Sequence, residues 1–318
     1  MQKQLCLLVL IISLLLGSCS ESAISTASSH EVTTTLTLEK LTEVIVTTVP
    51  DVTETRSPVP EIPTLSSEDA RSRLSNLLAN NGMCKLPCFW GIDPGKSLYQ
   101  EAVEILAPLA NLSQFTHFEN NIGAIDPDYV EGEFMIHANV RFLVDSKSNI
   151  VNQISFAART LKKTDNGFAD ILDSPFFNKK LDYYLLPNIL TEYGDPTTVM
   201  LSTMAKLPSS GVPGGFKILL LYPEKGILVN YTMQMQPSGE DIMGCPSNSH
   251  VEFELYPPGD ADSFFDLLRP SGWTQIIQNT YKPLDEAASL SQEEFFRTFS
   301  QPTDECILTP ADLWPVPD

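Results

Sequence analysis

Apolar residues along the chain recur at helical spacing in two early segments. Leucines spaced three and four residues apart predict a helix that begins at a cap formed by Ser66 and Asp69 and ends at Asn81-Gly82. Ser97 and Gln100 have the spacing of a second capping box, which predicts another helix with an apolar face. The globular part of the chain is therefore expected to start near Ser66.

A segment in which apolar and polar residues alternate follows these helices. Every second residue is apolar from Gly132 to Val144, which predicts a strand with one buried face. Residues 145–149 read as a hairpin turn, and Ile150 to Ala158 is predicted to return as the partner strand.

The same order of helix and strands returns in the second half. A short helix is predicted to end at Gly194, and two helices near the C-terminus are expected to cover one face of a sheet. The predicted helices span Tyr184–Tyr193, about Asp262–Leu268 and Ser291–Phe299, and the predicted strands Thr197–Met204, Phe216–Tyr222, Ile227–Met235 and Val251–Tyr256.

This order predicts an α+β fold with two tandem helix-plus-antiparallel-sheet units after a disordered tether. The expected divisions are a signal peptide over 1–18, a tether over 19–67, a first unit over 68–165 and a second unit with C-terminal helices over 166–318.

The N-terminus has the polarity order of a secretory signal. Leu5 to Leu16 is an apolar run of 12 residues, too short to span a bilayer, and small residues precede Cys19. The ending Leu16-Gly17-Ser18-Cys19 resembles the lipobox of bacterial lipoproteins, which implies that Cys19 becomes the lipidated first residue of the mature chain. The other interpretation is an ordinary secretory signal with a chance cysteine at its end. Lipidation would anchor the protein on the extracytoplasmic face of a membrane.

The composition changes after Cys19. Ser and Thr dominate up to Ser67 and aromatic residues are absent, so this stretch is expected to remain a tether. Leu41–Val49 is the exception, because its β-branched residues are sufficient for a strand.

Net charge narrows the possible partners. The chain carries 40 acidic residues against 20 Lys and Arg, a formal charge of −20. Binding to nucleic acid depends on a cationic surface, so no nucleic-acid partner is expected.

Four cysteines remain after the signal and the lipidation site. In an exported protein two disulfides are the favoured interpretation; a zinc site or a redox pair is the alternative. Four cysteines allow three pairings. Cys84 and Cys88 lie close together around Pro87, and Cys306 follows the last helix, so we favour Cys84–Cys88 with Cys245–Cys306.

Two stretches carry a resemblance to known families. The first resembles a group of uncharacterised bacterial lipoproteins through Cys84-x-x-Pro87-Cys88-Phe89-Trp90-Gly91-Ile92-x-Pro94-Gly95. The second is similar to segments of small outer-membrane assembly lipoproteins of the SmpA/OmlA kind, through Pro94-Gly95-x-Ser97 and Ile189-Leu190-x-x-Tyr193-Gly194-x-Pro196-Thr197-x-Val199. Those proteins share a two-helix, three-strand fold with the β-lactamase inhibitory proteins. The resemblance implies a fold and a protein-contact role, with no catalytic residues.

Other candidate sites lack their required pattern. Asp93–Ser97 resembles a phosphate loop only superficially, because Trp90 stands where the loop requires glycine. The acidic residues of 126–133 lack the central glycine and ligand alternation of a calcium loop. His117, His137 and His250 have no nucleophile motif beside them. No metal, cofactor or catalytic residue is therefore assigned.

Two classes of function follow. The first is a membrane-anchored, non-catalytic module that binds a protein or an envelope polymer. The second is an extracytoplasmic hydrolase whose Asp, Glu and His residues meet only in space. A histidine clustered with acidic residues in a cleft favours the hydrolase, and an exposed sheet without such a cluster favours the binding module.

Overall fold

The computed structural model describes residues 65–119, 121–171, 174–204, 215–259 and 261–314. The predicted signal peptide, the lipidation site at Cys19, most of the tether and the segment Leu41–Val49 lie outside the described residues.

Strands contain more of the described residues than α-helices do. Eleven are present, β1 to β11 in chain order: Ser113–Glu119, Ile122–Glu131, Phe134–Val144, Val151–Thr164, Gly167–Ile171, Thr198–Met204, Gly215–Tyr222, Ile227–Ser238, Asp241–Leu255, Lys282–Pro283 and Ile307–Pro310. They form one sheet in the order β1-β2-β3-β4-β9-β8-β7-β6-β10, with β5 paired to β4 and β11 paired to β9.

Eight α-helices are described, α1 to α8 in chain order: Ser67–Asn80, Tyr99–Leu106, Pro175–Lys180, Leu186–Tyr193, Ala261–Leu268, Trp273–Thr280, Leu284–Ala287 and Gln292–Phe299. The α+β class with an antiparallel sheet is confirmed.

The two predicted units contribute their strands to a single sheet. Strand β4 of the first unit pairs with β9 of the second, from Ile154 opposite Leu255 to Ala158 opposite Val251. Helix α2 precedes the strands of the first unit; in the second unit β5 comes before α4, and the other strands follow it. The predicted division at 165/166 lies in the turn between β4 and β5.

The two faces of the sheet are covered differently. One face is apolar along its length and packs against α1–α4, α7 and α8. The opposite, second face carries a separate core, in which Leu219, Leu221 and Leu228 of β7 and β8 pack against α5 and α6. The alternation of strand residues separates the two cores, since Leu220 belongs to the first and Leu219 and Leu221 to the second. The expectation that the C-terminal helices share one face is wrong: α8 packs on the first face and α5 on the second.

The helix caps agree with the prediction at Ser66 and Ser291 but not at Ser97. The Ser66 side chain accepts from the Asp69 amide, and Ser291 and Glu294 form a capping box. The box predicted at Ser97 and Gln100 is wrong. The Leu98 amide donates to Glu101 instead, and the Ser97 hydroxyl accepts from the Asp93 amide.

Candidate functional site

A groove of about 410 Å³ lies on the part of the second face that α5 and α6 leave uncovered. Strands β3, β4, β8 and β9 form its floor and walls. Its lining residues are His137, Asn139, Ala157, Ala158, Arg159, Asn230, Thr232, His250, Val251 and Glu252.

Strand register aligns these side chains in two rows across the sheet. In the first row Asn139 stands opposite Ala157, Ala157 opposite Glu252, and Glu252 opposite Asn230. Directly opposite residues project to the same face. The small Ala157 therefore forms a low point between the Asn139 amide and the Glu252 carboxylate.

The second row contains imidazoles and a guanidinium. His137 stands opposite Arg159, and His250 stands opposite Thr232. The Arg159 guanidinium lies 3.1 Å from the Asp170 carboxylate on β5, so its charge is already paired.

Glu252 is held by a side-chain amide, which a hydroxyl holds in turn. Its carboxylate accepts from Asn230 at 3.1 Å, and Asn230 in turn accepts from the Tyr281 hydroxyl at 3.0 Å. Both Asn230 and Tyr281 are buried, so this chain of hydrogen bonds fixes one wall of the groove.

His137 forms the best-defined pair of the site. Its Nδ1 lies 2.7 Å from the Asp128 carboxylate, and both side chains are partly exposed. Beside them Asn139 donates to Asp126 at 2.5 Å. Two of the acidic residues considered for calcium, Asp126 and Asp128, thus hold polar side chains of β3. Within the part of the chain that the structure describes, no group of three or more His, Cys, Asp or Glu residues could hold a metal ion.

His250 has a structural role. Strand β4 pairs with β9 along one stretch and with β5 along the next, and His250 lies where the two meet. Its Nε2 lies 2.9 Å from the Ile171 carbonyl and 3.3 Å from the Thr160 amide. Burial lowers the pKa of the His250 imidazole below its ordinary value, so the ring is neutral at pH 7.

His117 lies away from the groove. It is on β1, where its ring stacks on Phe115 at a centroid distance of 6.4 Å. The three histidines of the globular part therefore do not converge: two line the groove and one lies at the edge of the sheet.

The cysteines are paired as the sequence favoured. Cys84 bonds Cys88 and Cys245 bonds Cys306, with Cα atoms 5.8 Å and 4.2 Å apart. The short loop adjoins Trp90, which is buried and donates to the Tyr184 hydroxyl at 3.1 Å. Trp90 therefore packs in the core.

The groove itself was not predicted from the sequence. Its residues come from four strands whose neighbour relations depend on the β4–β9 pairing, which no local pattern encodes. A signal was present in the polar positions that alternate with the core, such as 137 and 139 on β3 and 250 and 252 on β9.

Comparison of the chain with protein-family models, with curated proteins and with solved structures finds no match. None of the described helices is long and apolar enough to cross a membrane. The resemblance to bacterial lipoproteins therefore stays a prediction.

Proposed function

We propose that this chain is a membrane-anchored extracytoplasmic lipoprotein, a non-catalytic module that binds a protein or an envelope polymer through the groove on the uncovered part of its sheet. The observation that carries the binding role is the groove, in which amide, carboxylate, guanidinium and hydroxyl groups converge around Ala157. Such a set offers directional hydrogen bonds to a polar ligand.

The proposed location is supported by the sequence before the globular part and by the cysteines. The lipobox-like Leu16-Gly17-Ser18-Cys19 follows an apolar run of signal length. All four cysteines after it are joined in disulfides, which persist in oxidising compartments.

Metabolic labelling with palmitate tests the anchor. The wild-type protein is expected to take up label and partition with membranes, and Cys19→Ala is expected to do neither, because the acceptor thiol is gone. Equal labelling of the two proteins contradicts the proposed lipidation.

A pull-down from native membranes tests the binding role. Glu252→Ala combined with Asn139→Ala removes two opposite walls of the groove, and we expect the captured partner to fall at least tenfold relative to wild type. The matched control is Glu104→Ala, an exposed carboxylate on helix α2 beyond the other face of the sheet. Equal capture by both variants contradicts binding through the groove.

The Asp128–His137 pair favours the hydrolase as a second candidate function. A histidine oriented by a carboxylate is the usual form of a general base, and this one lies in a groove with Glu252. Among the described residues, however, no hydrogen bond joins His137 to a hydroxyl or thiol that would serve as nucleophile, so a hydrolase here would activate water.

His137→Gln separates the two functions. A hydrolase loses turnover of a panel of esters, peptides and glycans while it still captures its ligand. A binding module shows no turnover in wild type and at most a change in affinity in the variant. Hydrolysis by wild type that His137→Gln abolishes would replace the binding role with the catalytic one.

A further inference from the structure

An exposed aromatic pair lies on the same face of the sheet as the groove. Phe115 is 48% exposed, and its ring stacks on His117 at a centroid distance of 6.4 Å. His117 stands opposite Ala124, and Ala124 stands opposite Arg141. Arg141 and Asn139 are two positions apart on β3, so both project from the second face. The aromatic pair and the groove are therefore two parts of one open surface.

The strands between the aromatic pair and the groove carry amides and carboxylates that hold one another. The Gln114 amide donates to Asp128 at 2.7 Å, and the Arg141 guanidinium donates to the Asn139 side-chain oxygen at 3.1 Å. The Asn139 amide in turn donates to Asp126. These bonds join β1, β2 and β3, so the side chains are fixed before a ligand binds.

The carboxylates of this surface keep acceptor capacity for a ligand. A carboxylate offers about four lone-pair sites, and Asp126 and Glu252 each accept a bond from one side-chain amide. Among the described residues neither has an ion-pair partner. Carboxylate acceptors next to amide donors suit hydroxyl groups, because a hydroxyl both donates and accepts.

Charge disfavours an anionic ligand on this surface. The chain carries a formal charge of −20. Of the two guanidinium groups on the surface, that of Arg159 is already paired with Asp170. The carboxylates of Asp126, Asp128 and Glu252 stand beside them, so a negatively charged polymer would be repelled.

The groove also lacks the anchors of a protein–protein interface. None of the residues that line it is an exposed large apolar side chain. The centre of a protein–protein interface depends on such side chains, which fill pockets on the partner. A neutral, hydroxyl-rich ligand suits the groove better than a protein does.

The distance between the two parts of the surface sets the length of the ligand. Neighbouring strands lie about 4.8 Å apart, so β1 is about 14 Å from β4, where Ala157 forms the low point of the groove. A ligand that contacts both Ala157 and Phe115 must cross three strand intervals. It must therefore be longer than a single sugar ring.

We propose that the second face binds a neutral glycan chain that runs across the strands from the groove to β1. Hydroxyls of the glycan bond to Glu252, Asn139 and Asp126, and the C–H face of one sugar ring stacks on Phe115, whose ring face carries partial negative charge. This inference rests on the proposed function and narrows its ligand from a protein or envelope polymer to a neutral polysaccharide.

Calorimetric titration of the full-length protein tests the class of ligand. The protein is kept in a detergent without a sugar headgroup, and the probes are cellohexaose, maltohexaose, mannohexaose and N-acetylchitohexaose. We expect at least one of them to bind about tenfold more tightly than its own disaccharide, because only the longer chain reaches both the groove and Phe115. The affinity should change by less than about twofold between about 0.05 and 0.5 M salt, since a neutral ligand pairs no charge.

Phe115→Ala tests the aromatic part of the surface. It is expected to lower the affinity for the hexasaccharide about tenfold, because the stacked ring is lost. The matched control is Phe265→Ala, which removes a ring that is 40% exposed on α5, and it should bind as wild type does. Circular dichroism of both variants should match that of wild type.

Four results would overturn the glycan. Binding to none of the probes would exclude the class, and binding that weakens about tenfold at the higher salt concentration would indicate a cationic ligand instead. Wild-type affinity in Phe115→Ala would exclude the path across the strands. Capture from native membranes that depends on Glu252 and Asn139, but that excess hexasaccharide does not compete, would uphold the proposed function and overturn this inference alone.

Discussion

Glu254 is a carboxylate that the fold buries and surrounds with donors. It is 6% exposed and accepts from Ser155 at 2.7 Å, Gln153 at 2.8 Å and Trp273 at 3.3 Å. These partners come from β4 and α6, so one side chain of β9 joins the two units of the sheet to the helix that covers its second face.

Glu254→Ala is expected to lower the free energy of unfolding by about 2–4 kcal/mol, because it leaves the buried Gln153 and Trp273 and the partly buried Ser155 without an acceptor. Urea unfolding measures the change. Glu104→Ala, which removes an exposed carboxylate on α2, is the control and should change stability by less than about 1 kcal/mol. A similar loss in both variants would contradict the role assigned to Glu254.

Ionisation of Glu254 is expected to lower the stability of the protein as pH rises. Burial raises the pKa of its carboxyl above the ordinary value, and hydrogen bonds from Ser155 and Gln153 oppose that shift. The stability that this group contributes is therefore fully present below the carboxyl's unfolded pKa and decreases as pH rises through its folded pKa. Glu254→Gln does not titrate. The stability of wild type relative to this variant should fall as pH rises above the ordinary carboxyl pKa, and a difference that grows instead would contradict the assignment.

Among the elements, the C-terminal strand is held to the sheet twice. Strand β11 pairs with β9 from Ile307 opposite Gly244, and Cys306, the residue before it, bonds Cys245. The sequence separation of this disulfide is 61 residues, against 4 for Cys84–Cys88. The longer loop excludes more conformations of the unfolded chain.

Replacing both Cys245 and Cys306 by serine is expected to lower the free energy of unfolding by about 4 kcal/mol, and replacing Cys84 and Cys88 by about 2 kcal/mol. Denaturant midpoints under non-reducing conditions compare the two variants. A larger loss from the short loop would show that native contacts around Trp90 outweigh the entropy of the loops.

How far the elements could be predicted depended on the strength of their local pattern. Strand β3 was predicted because its apolar residues alternate cleanly, and the cap at Ser291 because its hydroxyl and Glu294 form a local motif. The β1–β2 hairpin was missed. Strand β1 is an edge whose residues are mostly exposed, and β2 carries Pro127 and a polar outer face, so neither shows a continuous apolar period. Helices α6 and α7 were not predicted either; they contain eight and four residues.

At the scale of the whole molecule, a single sheet links the two units. Phe156 of the first unit lies in a cluster with Tyr184 and Phe253 of the second, at ring distances of 5.4 Å and 6.1 Å. The Phe156–Phe253 contact and the β4–β9 pairing join residues about a hundred positions apart. Sequence periodicity could therefore predict the class of fold and the repeat. It could not predict the β4–β9 pairing or the groove that this pairing creates.

The β4–β9 pairing and the Phe156 ring contacts predict that neither unit folds alone. Residues 66–165 without the second unit would expose the edge of β4 and lose the ring contacts of Phe156, so we expect no dispersed amide spectrum and no cooperative unfolding from this fragment. Co-expression with 166–318 is the control and should restore a folded complex. A cooperatively folded fragment 66–165 would contradict this expectation.

The three tryptophans allow separate parts of the molecule to be followed by intrinsic fluorescence. Each is at most 7% exposed, and each indole N–H has a partner: Tyr184 for Trp90, Glu254 for Trp273 and Thr309 for Trp314. Indole emission moves to longer wavelength when water reaches the ring. Variants that retain one tryptophan each would therefore report separately, without any attached dye, on the contact between the units, the helical cover of the second face and the C-terminal end.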